Sequence, residues 1–296
     1  MTPNAHVMAE PSVEVPPSAC DCHTHVFGAL NRYPAAPVRS YTPQEALLGS
    51  WRQVAQAIGL ERVVLVQPSA YGADNRCMLD ALRETGPSGR GIAQISSATS
   101  DDELRELNSA GVRGVRLNPK SVRGSNASQL SDLLRETGRR VEPLGWHLEI
   151  YADLALVGDI ADAIRDAPVP VVLDHMGGSK VGDTVAALRP LLTLLAAGDC
   201  WVKLSGADRV SQAGGDFEDA LPLAQEIIKA NPCQVVWGTD WPHTSAHSGQ
   251  PGDDPALIQF RRLDPSTLMN FLAAAAGDQP TFTRILATNP VQLYGF

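Results

Sequence analysis

Short apolar runs rich in β-branched residues recur along the chain, each bounded by turn formers and separated from the next by a stretch with helical spacing. Eight of them predict strands, near residues 20–26 (CDCHTHV), 62–67 (RVVLVQ), 91–96 (GIAQIS), 112–118 (VRGVRLN), 147–152 (HLEIYA), 169–175 (VPVVLDH), 200–206 (CWVKLSG) and 234–240 (QVVWGTD). Helices are predicted between them, near 43–58, 74–86, 101–110, 127–143, 154–166, 183–197 and 216–230. Several open on Ser, Thr, Asp or Pro and close on Gly, as capped helices do. Strand alternating with helix is the pattern of a parallel sheet with crossover helices. No Gly-rich phosphate loop follows the first strand, where an open doubly wound sheet usually keeps one. The expected fold is therefore α/β, a (β/α)8 TIM barrel forming a single domain over 20–296. A Pro-rich segment, 1–19, is expected to be a flexible N-terminal tail.

Composition narrows the function classes. A length of 296 residues suits one barrel, and a net charge of −9 argues against a nucleic-acid partner, which needs a basic face. An anionic substrate stays open, because a few arginines in one pocket override the global sign. No apolar run approaches the roughly 18 residues of a membrane helix, so no membrane partner is expected. The N-terminus lacks a basic start followed by an apolar stretch, so no secretory signal is expected. Five cysteines without a CxxC spacing read as reduced thiols of a cytoplasmic protein. Assembly is left open, a homo-oligomer included.

Barrel enzymes carry their chemistry at the C-terminal ends of the strands, and polar residues gather there. Strand 1 carries Asp21, His23 and His25 on one face by period two. Gln67 and Ser69 follow strand 2, and Arg116 and Asn118 end strand 4. Glu149 and Tyr151 end strand 5, and His175 ends strand 6. Lys203, Ser205 and Arg209 belong to strand 7 and its loop, with Asp240 and His243 after strand 8. Two imidazoles two apart on a strand point the same way, as metal or substrate ligands require. His147 starts strand 5 and reads as structural. Lys203 reads either as an electrostatic floor or as the partner of a buried acid.

DCHTHVFG, GVRGVRLNP, LDHMG and VVWGTDWPH together resemble the amidohydrolase (metal-dependent hydrolase) superfamily, of amidohydrolase-2 type. The chain is similar to its branch of 2-pyrone-4,6-dicarboxylate lactonases from about residue 20 to the closing NPVQLYGF. The resemblance implies a hydrolase of aromatic-compound catabolism that opens a small carboxylated lactone or pyrone. Lactone isomerisation, or zinc-dependent hydrolysis of a sulfomuconolactone- or galactarolactone-like substrate, is the alternative. It implies Asp240 as the base that activates water, with His23, His25 and His175 around the reacting carbonyl. Arg116 and Arg209 correspond to arginines that hold substrate carboxylates, and Tyr41, Ser69 and Tyr151 to hydroxyl groups around the substrate. The branch has a further arginine six residues after the strand-4 arginine, where this chain has Val122; Arg123 and Lys120 are the neighbours able to replace it. Metal-using relatives keep a histidine at the end of strand 5, a place taken here by Tyr151. The expectation is thus no metal cofactor. Zn2+ on His23, His25, His175 and Asp240 is the alternative.

Overall fold

A computed structural model describes residues 10–119, 126–245 and 257–296. The eight predicted strands are β1 Cys20–Thr24, β2 Arg62–Val66, β3 Gly89–Ala93, β4 Val112–Leu117, β5 His147–Ile150, β6 Val171–Leu173, β7 Trp201–Leu204 and β8 Val235–Trp237. They pair in parallel in sequence order, β1 through β8. The two ends of the sheet meet just past β8, where Thr24 bridges Trp241 in parallel. There His25 N donates to Trp241 O and Asp240 N to His23 O, both at 2.8 Å. The result is a TIM barrel, and its closing seam runs through the first motif and the last.

Burial on both faces explains why these strands are apolar throughout rather than alternating. One face packs under the helices. On the other, Cys20, Cys22, Val64, Val66, Ile92, Val172, Trp201 and Val236 form a separate cluster with Tyr294 of the C-terminal segment. Helices occupy the expected stretches with changed ends. The first begins only at Leu48, because residues before it are drawn into bridges, Phe27 with Ala46 and Thr42 with Leu257. The predicted 154–166 helix breaks at Ile160 into Leu154–Asp159 and Ala161–Arg165. β3 lies earlier than its apolar run suggested, since Val63 pairs with Gly89. Residues 10–19 run against the barrel: Ser12 N donates to Asn270 Oδ1 at 2.9 Å, and Val13 and Val15 pack on the core. All five cysteines are free. Among the described residues no helix is long and apolar enough to cross a membrane.

One register shift matters for function. Between Asp21 and Thr24 the pairing of β1 with β2 slips, so the period-two expectation fails there. Asp21 turns to the helix side, where it accepts from Trp51 Nε1 at 3.0 Å. His23 instead meets Lys203 of β7, the next strand but one around the barrel, at 3.2 Å.

Candidate active site

The residues at the strand ends are held in backbone conformations that ordinary side chains avoid. His175 (φ 52°), Met176 (φ 55°), Asp240 (φ 60°) and His243 (φ 65°) all lie in the left-handed region. Such residues cost about 1–3 kcal/mol each and persist only where the surroundings over-determine them, most often at functional sites. Gly238 shows how tight that frame is: a Cβ there would lie 2.4 Å from His23 N. Only glycine lets β8 come this close to β1, and the approach delivers Asp240 to the histidines.

Asp240 is the hub. Its Oδ2 accepts from Arg209 Nε at 2.6 Å. Its Oδ1 lies 3.8 Å from His23 Nε2 and 3.7 Å from His25 Nε2, beyond hydrogen-bond range. Burial pushes this carboxyl up, but the Arg209 guanidinium, followed by the three imidazoles, outweighs burial and holds it well below the usual carboxylate range. Burial also lowers His25, His175 and His243 to about 4 and His23 well below its ordinary value. The rings are therefore neutral near pH 7, and Arg209 is the standing charge that keeps Asp240 ionised.

The other expected residues fall around this hub. His175 packs on His23 and on Tyr151, with ring centroids 4.7 Å apart in each pair, and its Nδ1 meets Ser205 Oγ at 2.9 Å. Arg116 is buried, with its guanidinium 5.9 Å from the Tyr151 ring. Its Nη1 reaches Gln67 O only at 3.4 Å, and its Nε has no hydrogen-bond partner among the described residues. Tyr41 is buried and bonded to Ser69. Arg209 Nη2 also donates to Thr244 O and Oγ1, at 3.1 and 3.0 Å. Arg123, with Lys120 and Val122, lies outside the described residues, as do His6 and His247. His147 packs on Tyr294 below the site.

Beneath the imidazoles lies a buried charge cluster that sequence reasoning did not assemble. Lys203 Nζ sits 2.7 Å from Glu149 Oε1 and 3.2 Å from Asp174 Oδ1, all three side chains being fully buried. Lys203 thus pairs with buried acids. Burial raises both carboxyls, and Lys203 chiefly overcomes it and lowers them, while the two acids keep Lys203 charged against its own burial. Asp174 is the missed member. Its signal was an acid interrupting an apolar run directly before His175.

Donor atoms here are spaced for a divalent cation, in two overlapping triads. His23, His25 and Asp240 form one, and His23, Asp174 and His175 the other, with the ligand atoms of each within 4.8 Å of one another. His23 Nε2 is buried and has no hydrogen-bond partner among the described residues, as a ligand nitrogen would be. The four expected ligands do not form one set among the described residues.

Known proteins resemble this chain over nearly its whole length. Residues 20–296 match the amidohydrolase family. A 2-pyrone-4,6-dicarboxylate hydrolase of Comamonas testosteroni is 34% identical, across 97% of this chain and 93% of its own. A 4-sulfomuconolactone hydrolase of Rhizobium radiobacter is 32% identical, across 96% and 92%. The crystal structure of a probable 2-pyrone-4,6-dicarboxylic acid hydrolase from Acinetobacter baumannii, with citric acid bound, superimposes with a TM-score of 0.77 at 26% identity. That match covers 94% of this chain and 100% of the other.

Proposed function

The chain belongs to the amidohydrolase family, and on that premise we propose that it is a lactonase: a hydrolase that opens a carboxylated lactone or pyrone, as in aromatic-compound catabolism, with Asp240 as the base. The carrying observation is the divided carboxylate of Asp240, one oxygen fixed by Arg209 and the other facing two neutral imidazoles. Support for an anionic, carboxylated substrate comes from the buried Arg116, whose Nε stands 3.6 Å from Asp174 Oδ2, beyond hydrogen-bond range, and from relatives named for such compounds. Guanidinium groups bind carboxylates through paired hydrogen bonds, which would fix the ring for attack.

In this reading Asp240 Oδ1 takes a proton from water while the water oxygen bonds to the ring carbonyl carbon. Negative charge moves to the carbonyl oxygen, surrounded by the His23, His25 and His175 rings, where a fixed donor stabilises it best. The ring carbon–oxygen bond then breaks. Its oxygen leaves with the proton held by Asp240, and the new carboxylic acid ionises, so one water is consumed and one proton released. Tyr41, Ser69 and Tyr151 line the substrate's surroundings, and Arg123 is the expected second carboxylate contact.

A zinc ion would be held by His23, His25 and Asp240, and when bound would polarise the carbonyl and acidify a water. We favour hydrolysis without it. Arg209 already occupies one oxygen of Asp240, and by the family resemblance Tyr151 stands where metal-using relatives keep a further histidine. The five free thiols suit a cytoplasmic setting.

The test is a panel of mono- and dicarboxylated lactones with 2-pyrone-4,6-dicarboxylate as reference, followed by ring absorbance and by proton release. One proton per ring opened is expected. A product isomeric with its substrate, formed without proton release, would establish isomerisation instead.

A further inference from the structure

We propose that Lys203 is a positioning residue that decides which nitrogen of His23 carries the proton, so that the two histidines of the His-Thr-His motif face the reacting centre as opposite tautomers. The catalytic consequence rests on the hydrolytic reading above; the tautomer does not.

Lys203 Nζ is fully buried and lies 3.2 Å from His23 Nδ1, within hydrogen-bond range. An ammonium has three hydrogens and no lone pair, so a ring nitrogen bonded to it must accept. The competitor is Asp174, whose Oδ1 lies 3.4 Å from the same nitrogen. Among the described residues, however, Asp174 makes no hydrogen bond to that nitrogen, and its Oδ1 stands closer to Lys203 Nζ, at 3.2 Å. A neutral imidazole that accepts at Nδ1 carries its hydrogen at Nε2. That atom is buried, unpartnered and aimed at the Asp240 side of the site, 3.8 Å from Oδ1.

His25 is set the other way. Its Nδ1 lies 2.8 Å from Val66 O, and a carbonyl only accepts, so Nδ1 carries the hydrogen and Nε2 keeps a lone pair. That lone pair faces Asp240 Oδ1 from 3.7 Å. Two like residues two apart thus present unlike atoms: His23 donates to the oxygen that gains charge, and His25 accepts from the attacking water. The same His23 hydrogen occupies the place where a metal ion needs a lone pair. Burying Lys203, Glu149 and Asp174 together is costly compared with apolar packing, and the cluster meets the site at His23 Nδ1 and, through Asp174 Oδ2, 3.6 Å from Arg116 Nε.

The experiment is nitrogen-15 NMR of histidine-labelled protein, with His23→Gln assigning the signal. In the wild type we expect His23 protonated at Nε2 and His25 at Nδ1, and this spectrum decides the matter without any other substitution. Lys203→Met alone would strand two carboxylates, so it is combined with Glu149→Gln. In the folded double variant His23 is expected to move its hydrogen to Nδ1, toward Asp174. With 2-pyrone-4,6-dicarboxylate, kcat should fall about 100-fold, the cost of losing one oxyanion donor, while KM moves by no more than about threefold. Glu149→Gln alone keeps the ammonium and the wild-type His23 signal. Wild-type His23 protonated at Nδ1, or an unchanged His23 signal in the double variant, overturns the proposal. A tautomer that shifts as expected in a protein inert toward every lactone would leave Lys203's role standing and remove the lactonase reading.

Discussion

Two buried aspartates occupy the seam where β1 meets β8, and their surroundings differ in kind. Asp21 is completely bonded by neutral donors. Its Oδ1 accepts from His23 N and Thr239 N, and its Oδ2 from Thr24 Oγ1, Thr239 Oγ1 and Trp51 Nε1. Burial outweighs those bonds, so its carboxyl is raised. Asp240 has a cation on one oxygen, imidazoles beyond hydrogen-bond range of the other, and a strained backbone. A carboxylate with every lone pair occupied acts as a rivet between strands. One with a cation on one oxygen and the other beyond hydrogen-bond range of His23 and His25, at a cost in backbone strain, is placed for chemistry.

The largest effect that would break this contrast is on rate. Asp240→Asn should lower kcat by about 10,000-fold, the scale seen when a catalytic carboxylate becomes an amide, with the thermal midpoint hardly changed. Arg209→Gln comes next: kcat/KM should fall about 100-fold, the loss of one charged contact to substrate. Its rate profile should also gain an acid limb, because Asp240 no longer has the guanidinium that keeps it ionised. Asp21→Asn should act on folding instead. An amide nitrogen facing donors leaves buried groups unpaired, which lowers stability by about 2 kcal/mol in denaturant titrations. Its folded fraction should keep kcat within about threefold.

The mildest probe is pH. His25, His175 and His243 titrate at about 4 in the fold against an ordinary 6.5. Between those values the unfolded chain binds more protons, so stability rises with pH across that window and is lost as pH falls through it. Asp240 adds its own loss only at lower pH, because Arg209 depresses its carboxyl. Urea titrations at stepped pH check the sign: stability constant from 6.5 down to 4 would contradict neutral buried rings.

Much of the barrel was legible in the chain because each strand, buried on both faces, prints as an apolar run. Within the site, His23, His25, His175 and Asp240 were legible as polar residues ending those runs, and the structure brings their rings and carboxylate together. Asp21 was misplaced because a register shift breaks period two inside β1, and nothing in CDCHTHV marks it. The Lys203–Glu149–Asp174 cluster escaped for a different reason. Its members come from β5, the end of β6 and β7, neighbours in the sheet, and their meeting depends on the register between strands and not on local spacing. The left-handed backbone at His175 and Asp240 is likewise set by tertiary closure, for neither residue type announces it.

The central claim is that Asp240 activates a water to open the ring, and a single turnover in oxygen-18 water tests it most directly. Enzyme in excess over 2-pyrone-4,6-dicarboxylate should place one labelled oxygen in the new carboxylate of the product and none in the peptide containing Asp240. Label in Asp240 would make it a covalent nucleophile, and an unlabelled product would mean that water does not open the ring; either result contradicts the account.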